Sequence, residues 1–137
     1  MIDEAAVVLK FGVGPSSIAD YLGLVGDSAD GFPGLQGWGA KSASTVLAKY
    51  QLIDNIPDDH NQWIADGVTV RSAEKLAITL RDNRKDAALF KQLATLVTDV
   101  PVGDVGDWLW RGPTDRFESV ANTLGAPQLV ERLRRLK

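Results

Sequence analysis

Apolar residues recur at helical spacing along nearly the whole chain. Ile18, Tyr21, Leu22 and Val25 fall at i, i+3, i+4 and i+7, and Ala43, Val46, Leu47 and Tyr50 repeat that spacing after a glycine-rich interruption. Ala73, Leu76, Ala77 and Leu80 mark another helix, and a further one is predicted from about Asp86 to Val97. Phe117, Val120, Ala121 and Leu124 form a later set, stopped by Gly125-Ala126-Pro127, and Leu129, Val130, Leu133 and Leu136 form the last. End signals agree with this layout. Asp3 can cap a first helix that stops near Gly12, Pro15 suits a first helical turn, and Ser72 suits an N-cap. Ile56 to His60 reads as a connector, and Val68-Thr69-Val70 is the best of a few short strand candidates. The pattern predicts an all-α helical bundle forming one domain over residues 1–137.

The interruption between the second and third predicted helices carries the most chemistry. It runs Asp20-Tyr-Leu-Gly-Leu-Val-Gly-Asp27-Ser-Ala-Asp30-Gly-Phe-Pro-Gly34-Leu-Gln-Gly37-Trp38-Gly39-Ala-Lys41-Ser42-Ala43. Asp27 and Asp30 sit three apart in a glycine-bounded turn. Two close carboxylates can hold a divalent ion, and hard oxygen donors suit Mg²⁺ or Mn²⁺. As an isolated pattern the pair reads more readily as turn and cap residues. Gly34, Gly37 and Gly39 allow positive φ and a close approach to the backbone. The helix that follows begins near Ala40, where unpaired amides and a positive dipole end suit a phosphate. Lys41 adds a charge there, and Ser42 follows it. This is a helix-hairpin-helix pattern, which reads a nucleic-acid backbone rather than its bases. Trp38 lies between the hairpin glycines, where a stacking platform is conceivable but a core position is favoured.

The run resembles the C-terminal part of the 5′-3′ exonuclease family. That family includes the nuclease domain of bacterial DNA polymerase I, with the flap endonucleases as relatives. The resemblance is carried by the Asp20–Ala43 block, by Asp3-Glu4-Ala5 and Lys10-Phe11-Gly12-Val13 upstream, and by Leu93-Ala94-Thr95-Leu96-Val97-Thr98-Asp99-Val100-Pro101 downstream. Departures are Gly31-Phe32 where Asn-Ile is common, Trp38 where Ile is common, and Ser42 where Thr is common. None removes a carboxylate, a hairpin glycine or the lysine. The resemblance implies a SAM-like C-terminal subdomain of a metal-dependent phosphodiesterase acting near 5′ ends of DNA. Asp27 and Asp30 would be metal ligands, and Gly34, Gly37, Trp38, Gly39, Lys41 and Ser42 would form the DNA-binding hairpin. It also implies K⁺ at the hairpin carbonyls. The larger N-terminal α/β lobe that supplies most metal ligands in that family has no counterpart in this sequence, so the chain alone is expected to be inactive. The alternative is a stand-alone, non-catalytic helix-hairpin-helix module that binds DNA.

Composition narrows the class. Mean hydropathy of −0.07 and a 45% hydrophobic share suit an ordinary globular domain. There is no cysteine, which excludes disulfides and thiolate metal sites. No signal peptide or membrane span is visible, and a cytoplasmic location is expected. The net charge of −3 is the wrong sign for a simple nucleic-acid binder, but its distribution is uneven. Residues 1–40 hold five acids and one base, whereas residues 71–97 hold six bases and three acids. The six bases, Arg71, Lys75, Arg81, Arg84, Lys85 and Lys91, read either as a face for a duplex or as a solvated helix face paired with Glu74, Asp82 and Asp86. The basic tail of Arg132, Arg134, Arg135 and Lys137 is explained by a helix C-terminus. His60, the sole histidine, reads as a solvated loop residue. Trp63, Trp108 and Trp110 read as packing residues.

Overall fold

The computed structural model describes residues 3–134 and is built of helices joined by turns. Its contacts divide into two compact units, Met1–Thr98 and Asp99–Lys137, where periodicity alone predicts one.

In the first unit, α1 (Glu4–Phe11) is capped by Asp3, whose carboxylate accepts the Ala6 N–H at 2.9 Å. It ends at Gly12 in the left-handed region. Pro15–Ser17 forms a 3₁₀ turn leading into α2 (Ile18–Val25). After the glycine-rich segment come α3 (Ala40–Tyr50), a 3₁₀ turn at Ile53–Asn55, α4 (His60–Ala65), α5 (Ala73–Asp82) and α6 (Arg84–Ala94). The helix α2 is central. It packs most heavily on α6 and also on α3. A Cβ on Gly23 would sit 3.2 Å from the Ala87 carbonyl oxygen and the Lys91 nitrogen, so glycine and the buried Ala87 set the close crossing of α2 and α6. Leu24, Val46, Leu47, Ile56, Trp63 and Leu80 form the centre of the core.

Four expectations shift. The buried face of α2 is Asp20, Tyr21, Gly23 and Leu24, whereas Ile18, Leu22 and Val25 are only half-buried, because the helix has neighbours on two sides. The connector hides α4, which starts at His60 and is capped by Asp59 accepting the Asn61 N–H. Val68-Thr69-Val70 is an extended link without strand partners among the described residues; Val68 is buried. Ser72 stands at the N-cap position of α5 but makes no capping hydrogen bond, and its φ is 60°.

The second unit holds a 3₁₀ turn at Val105–Trp108, α7 (Phe117–Thr123) and α8 (Gln128–Arg134), with α7 packed on α8. Only Ala121 is buried there among the described residues; Trp108 and Trp110 are exposed, so neither is a core residue. Leu136, Arg135 and Lys137, assigned from sequence to the last helix and its basic end, lie outside the described residues. Among those residues no helix is long and apolar enough to cross a membrane.

Candidate nucleic-acid interface

The segment between α2 and α3 makes two turns in succession, the aspartate turn and then the glycine hairpin. Gly26, with φ of 87°, ends α2, and the chain then pairs with itself. The Asp27 N–H donates to the Phe32 carbonyl at 2.9 Å, and the Phe32 N–H donates back at 3.1 Å. Within this first turn Oδ1 of Asp27 accepts the N–H groups of Ala29 and Asp30 at 2.9 and 3.4 Å. The chain recrosses the end of α2 at Gly34, where the Leu35 N–H donates to the Leu24 carbonyl at 2.8 Å. A Cβ on Gly34 would lie 2.3 Å from the Gly26 nitrogen. Gly34 is therefore a packing residue between the two turns, not a ligand-facing one.

The second turn is closed by the Trp38 N–H donating to the Leu35 carbonyl at 3.1 Å, with Gly37 at φ of 83°. Gly39 follows in extended conformation as the N-cap of α3. The Ser42 hydroxyl accepts the Gly39 N–H at 3.1 Å and lies 3.0 Å from its carbonyl, so Ser42 secures the helix entry. Nothing lies within 4 Å of where a Gly39 Cβ would be, so that backbone is open to a ligand. Lys41 is exposed in the first turn of α3.

Trp38 is a correction to the hairpin set. Its side chain is buried, its indole N–H donates to the Leu76 carbonyl at 3.2 Å, and its ring centre is 6.0 Å from that of Trp63. It is core and offers no face to a base.

Gly37, Gly39, Lys41 and Ser42 line one cleft of about 800 Å³, which Arg71 and Lys75 also line. No acidic residue lines it. Asp27 opens instead onto a separate shallow depression with Ser28, Gly31 and Pro33. The fold thus brings the hairpin groups together and leaves the aspartates apart from them.

Among the described residues Asp27 and Asp30, the candidate metal ligands, both carry free carboxylate oxygens. Asp27 keeps its second oxygen free of protein partners among the described residues, and exposed Asp30 has both of its oxygens free. Such hard donors fit Mg²⁺ or Mn²⁺. Among the described residues no group of three or more His, Cys, Asp or Glu side chains could enclose an ion. His60 lies 3.8 Å from Asp59 and joins no such group.

The six bases of residues 71–97 divide. Arg84 is held by Asp58 at 2.7 Å and by the Ile53 carbonyl at 3.2 Å. Arg81 pairs with Asp82 at 2.9 Å. Lys91 reaches Asp20, which is 1% exposed, at 2.9 Å. Arg71, Lys75 and Lys85 have no ionic partner among the described residues; Arg71 and Lys75 line the cleft, whereas the exposed Lys85 does not. Charge counting alone could not separate these roles. The missed signal for Asp20 was its place four residues before Leu24, on the buried face of α2.

Sequence comparisons give the family of the chain. The model of the family described as 5′-3′ exonuclease, C-terminal SAM fold, matches residues 13–116. The chain is 35% identical over 128 residues to DNA polymerase I of Pseudomonas aeruginosa, covering 88% of this chain and 13% of that protein. It is 34% identical over 131 residues to DNA polymerase I of Bacillus caldotenax, covering 93% and 14%. It is 36% identical over 97 residues to a 5′-3′ exonuclease of Aquifex aeolicus, covering 70% and 29%. The chain therefore spans about a seventh of those polymerases and under a third of that exonuclease. The family match covers most of the chain and includes both turns and the cleft. By that match the chain belongs to the 5′-3′ exonuclease family, as its C-terminal SAM-fold portion.

Proposed function

We propose that this chain grips the sugar-phosphate backbone of DNA for a metal-dependent 5′-3′ exonuclease. The supporting observation is the acid-free cleft at the start of α3, where the open backbone of Gly39 lies beside Lys41 in a chain whose net charge is −3. Unpaired amides at a helix start attract phosphate, and Lys41 adds a point charge at the same place. Such contacts are blind to base sequence. The proposed roles are a phosphate approach at Gly37 and Gly39, an ionic contact at Lys41, and reinforcement of the turn by Ser42 and Gly34.

Asp27 and Asp30 are proposed to give part of a metal site when the remaining ligands are supplied by a nuclease lobe. A divalent ion there would supply Lewis-acid activation of water and phosphate. Asp27 would keep its Oδ1 on the turn amides and offer its other oxygen, and Asp30 would offer its free carboxylate. K⁺ at the turn carbonyls is also proposed; the Leu35 carbonyl accepts one hydrogen bond, from the Trp38 N–H, and retains a lone pair, whereas the Gly39 carbonyl already accepts two, from the Ala43 N–H and the Ser42 hydroxyl.

Gly39→Ala tests the grip without disturbing the fold, since the new methyl enters open space at an extended φ of −134°. Affinity for duplexes of unrelated sequence should fall while the melting temperature barely changes. Undiminished binding by the folded variant overturns the assignment.

A further inference from the structure

The cleft has a second cationic wall. Arg71 precedes α5 and Lys75 lies in its first turn, and both are exposed. They line the same cleft as Lys41, and no acid accompanies the three cations. None of the three has an ionic partner among the described residues; Arg81, Arg84 and Lys91 nearby in sequence do, and Lys85, which does not, lies outside the cleft. Three unpaired cations facing one acid-free cleft repel one another unless an anion is present. An ordinary solvated helix face interleaves acids with its bases, and this cleft has none.

The two walls are also joined. Trp38, between the glycines of the second turn, donates its indole N–H to the Leu76 carbonyl of α5. Leu76 Cδ2 lies 3.8 Å from the place of a Gly37 Cβ. A buried hydrogen bond therefore ties the turn to α5 and holds the two helix starts that carry the cations against each other.

We propose that Arg71 and Lys75 form a second phosphate contact, so that the cleft holds neighbouring phosphates of one DNA strand, one at Gly39 and Lys41 and the next at Arg71 and Lys75. This rests on the reading of the hairpin as a backbone grip and extends it to a two-point contact. Two contacts set the line along which the strand crosses α3 and α5, which a single contact cannot do.

The test measures affinity of the 137-residue chain for a mixed-sequence DNA duplex across a KCl series. Each neutralised phosphate contributes ~0.9 to the slope of log affinity against log salt. Arg71→Ala/Lys75→Ala should flatten the slope by about one to two units. Lys49→Ala/Lys85→Ala removes the same charge from exposed positions outside the cleft and should leave the slope unchanged. Equal flattening by both double variants, or none by the first, overturns the second contact. Lys41→Ala separates the two levels. If it flattens the slope while Arg71→Ala/Lys75→Ala does not, the two-point contact fails and the hairpin grip stands. If neither flattens it, the hairpin reading itself fails.

Discussion

The Lys91 ammonium of α6 lies 2.9 Å from Oδ1 of Asp20, the buried carboxylate of α2. The same oxygen accepts the Ile53 N–H at 2.7 Å, so one carboxylate joins α2, α6 and the turn after α3. Removing the lysine leaves a buried charge with a single amide. Lys91→Met should cost about 2–4 kcal/mol, toward the lower end of values for broken buried pairs because Lys91 itself is partly exposed. Urea unfolding at neutral pH measures it, and a loss below about 0.5 kcal/mol would place the pair among weak surface contacts.

The same lysine predicts alkaline sensitivity. Burial draws its pKa down, but the hydrogen bond and charge of Asp20, with Asp54 beside it, outweigh burial and hold it above the ordinary lysine value. Tyr50 is pushed up to about 12 by burial and by its hydrogen bond and proximity to Asp66. Both groups hold their protons more tightly folded than unfolded. Their contribution is full below the unfolded pKa and is lost as pH rises through the folded one. Stability should therefore fall from about pH 10 upward, and Tyr50→Phe and Lys91→Met should each flatten part of that fall. Stability curves from pH 8 to 12 check it, and an unchanged alkaline slope in the double variant would contradict the assignment.

Glycines of the α2–α3 segment should separate by role. Gly34 has φ of 69°, and its Cβ would strike the backbone of Gly26 and Val25 at 2.3 and 2.4 Å. Gly34→Ala should cost more than ~2 kcal/mol, since the left-handed penalty alone is about 1–2 kcal/mol per residue. Gly37→Ala meets only Leu76 Cδ2 at 3.8 Å and should cost about that penalty alone. Gly39→Ala should lose no more than ~1 kcal/mol, the scale of a weakened N-cap, while still lowering DNA affinity. Thermal melts and duplex binding of the three variants give the ranking. Gly39→Ala proving the least stable of them would overturn it.

Much of this was legible in the chain. The period of apolar residues placed α3 and α5 because each buries one face, and the run from Asp20 to Ala43 identified the turns because their glycines are required by positive φ or close backbone approach. The face of α2 was misjudged because a helix with neighbours on two sides has no single stripe. Ser72 looked like a cap because its type and position suit one, but its backbone sits at a positive φ and its hydroxyl makes no capping bond. Trp38 in the DNA-binding set and Arg71 with Lys75 in an undivided basic face share one cause. Which side chain faces a cleft, an ion pair or the core depends on the packing of the turn on α5, and that contact spans 38 positions of sequence.

Trp38→Phe should expose that link. Phenylalanine keeps most of the apolar surface but removes the N–H, leaving the Leu76 carbonyl without its indole donor in a buried setting. A cost of about 1–3 kcal/mol is expected for the lost buried partner. DNA affinity should fall beyond any effect of unfolding, because the cations of α5 are no longer tied to the turn before Lys41. Binding at a temperature well below the melting transition isolates that effect. Full affinity there would mean that the cleft keeps its shape without the hydrogen bond.

Metal binding gives the last prediction, and its logic is separation. Asp27 opens on a depression distinct from the cationic cleft, and neither it nor the exposed Asp30 lines that cleft. Asp27→Asn keeps Oδ1 for the Ala29 and Asp30 amides and so preserves the turn, while it removes the charge that attracts a cation. Asp30→Asn removes a carboxylate that has no protein partner among the described residues. The chain should bind Mn²⁺ weakly, since two carboxylates leave most of an octahedral shell to water. Each variant should weaken that binding by at least the ~10–100-fold that follows loss of a mere supporting partner. Duplex affinity and its salt slope should stay as they were, and neither the parent chain nor the variants should cleave DNA unaided. Joined to a nuclease lobe, the same variants should lower the saturated single-turnover rate and spare binding in Ca²⁺. Paramagnetic titration of Mn²⁺ against the parent and the two variants reads the metal directly. Equal Mn²⁺ affinity in all three would assign the aspartates to the turn alone.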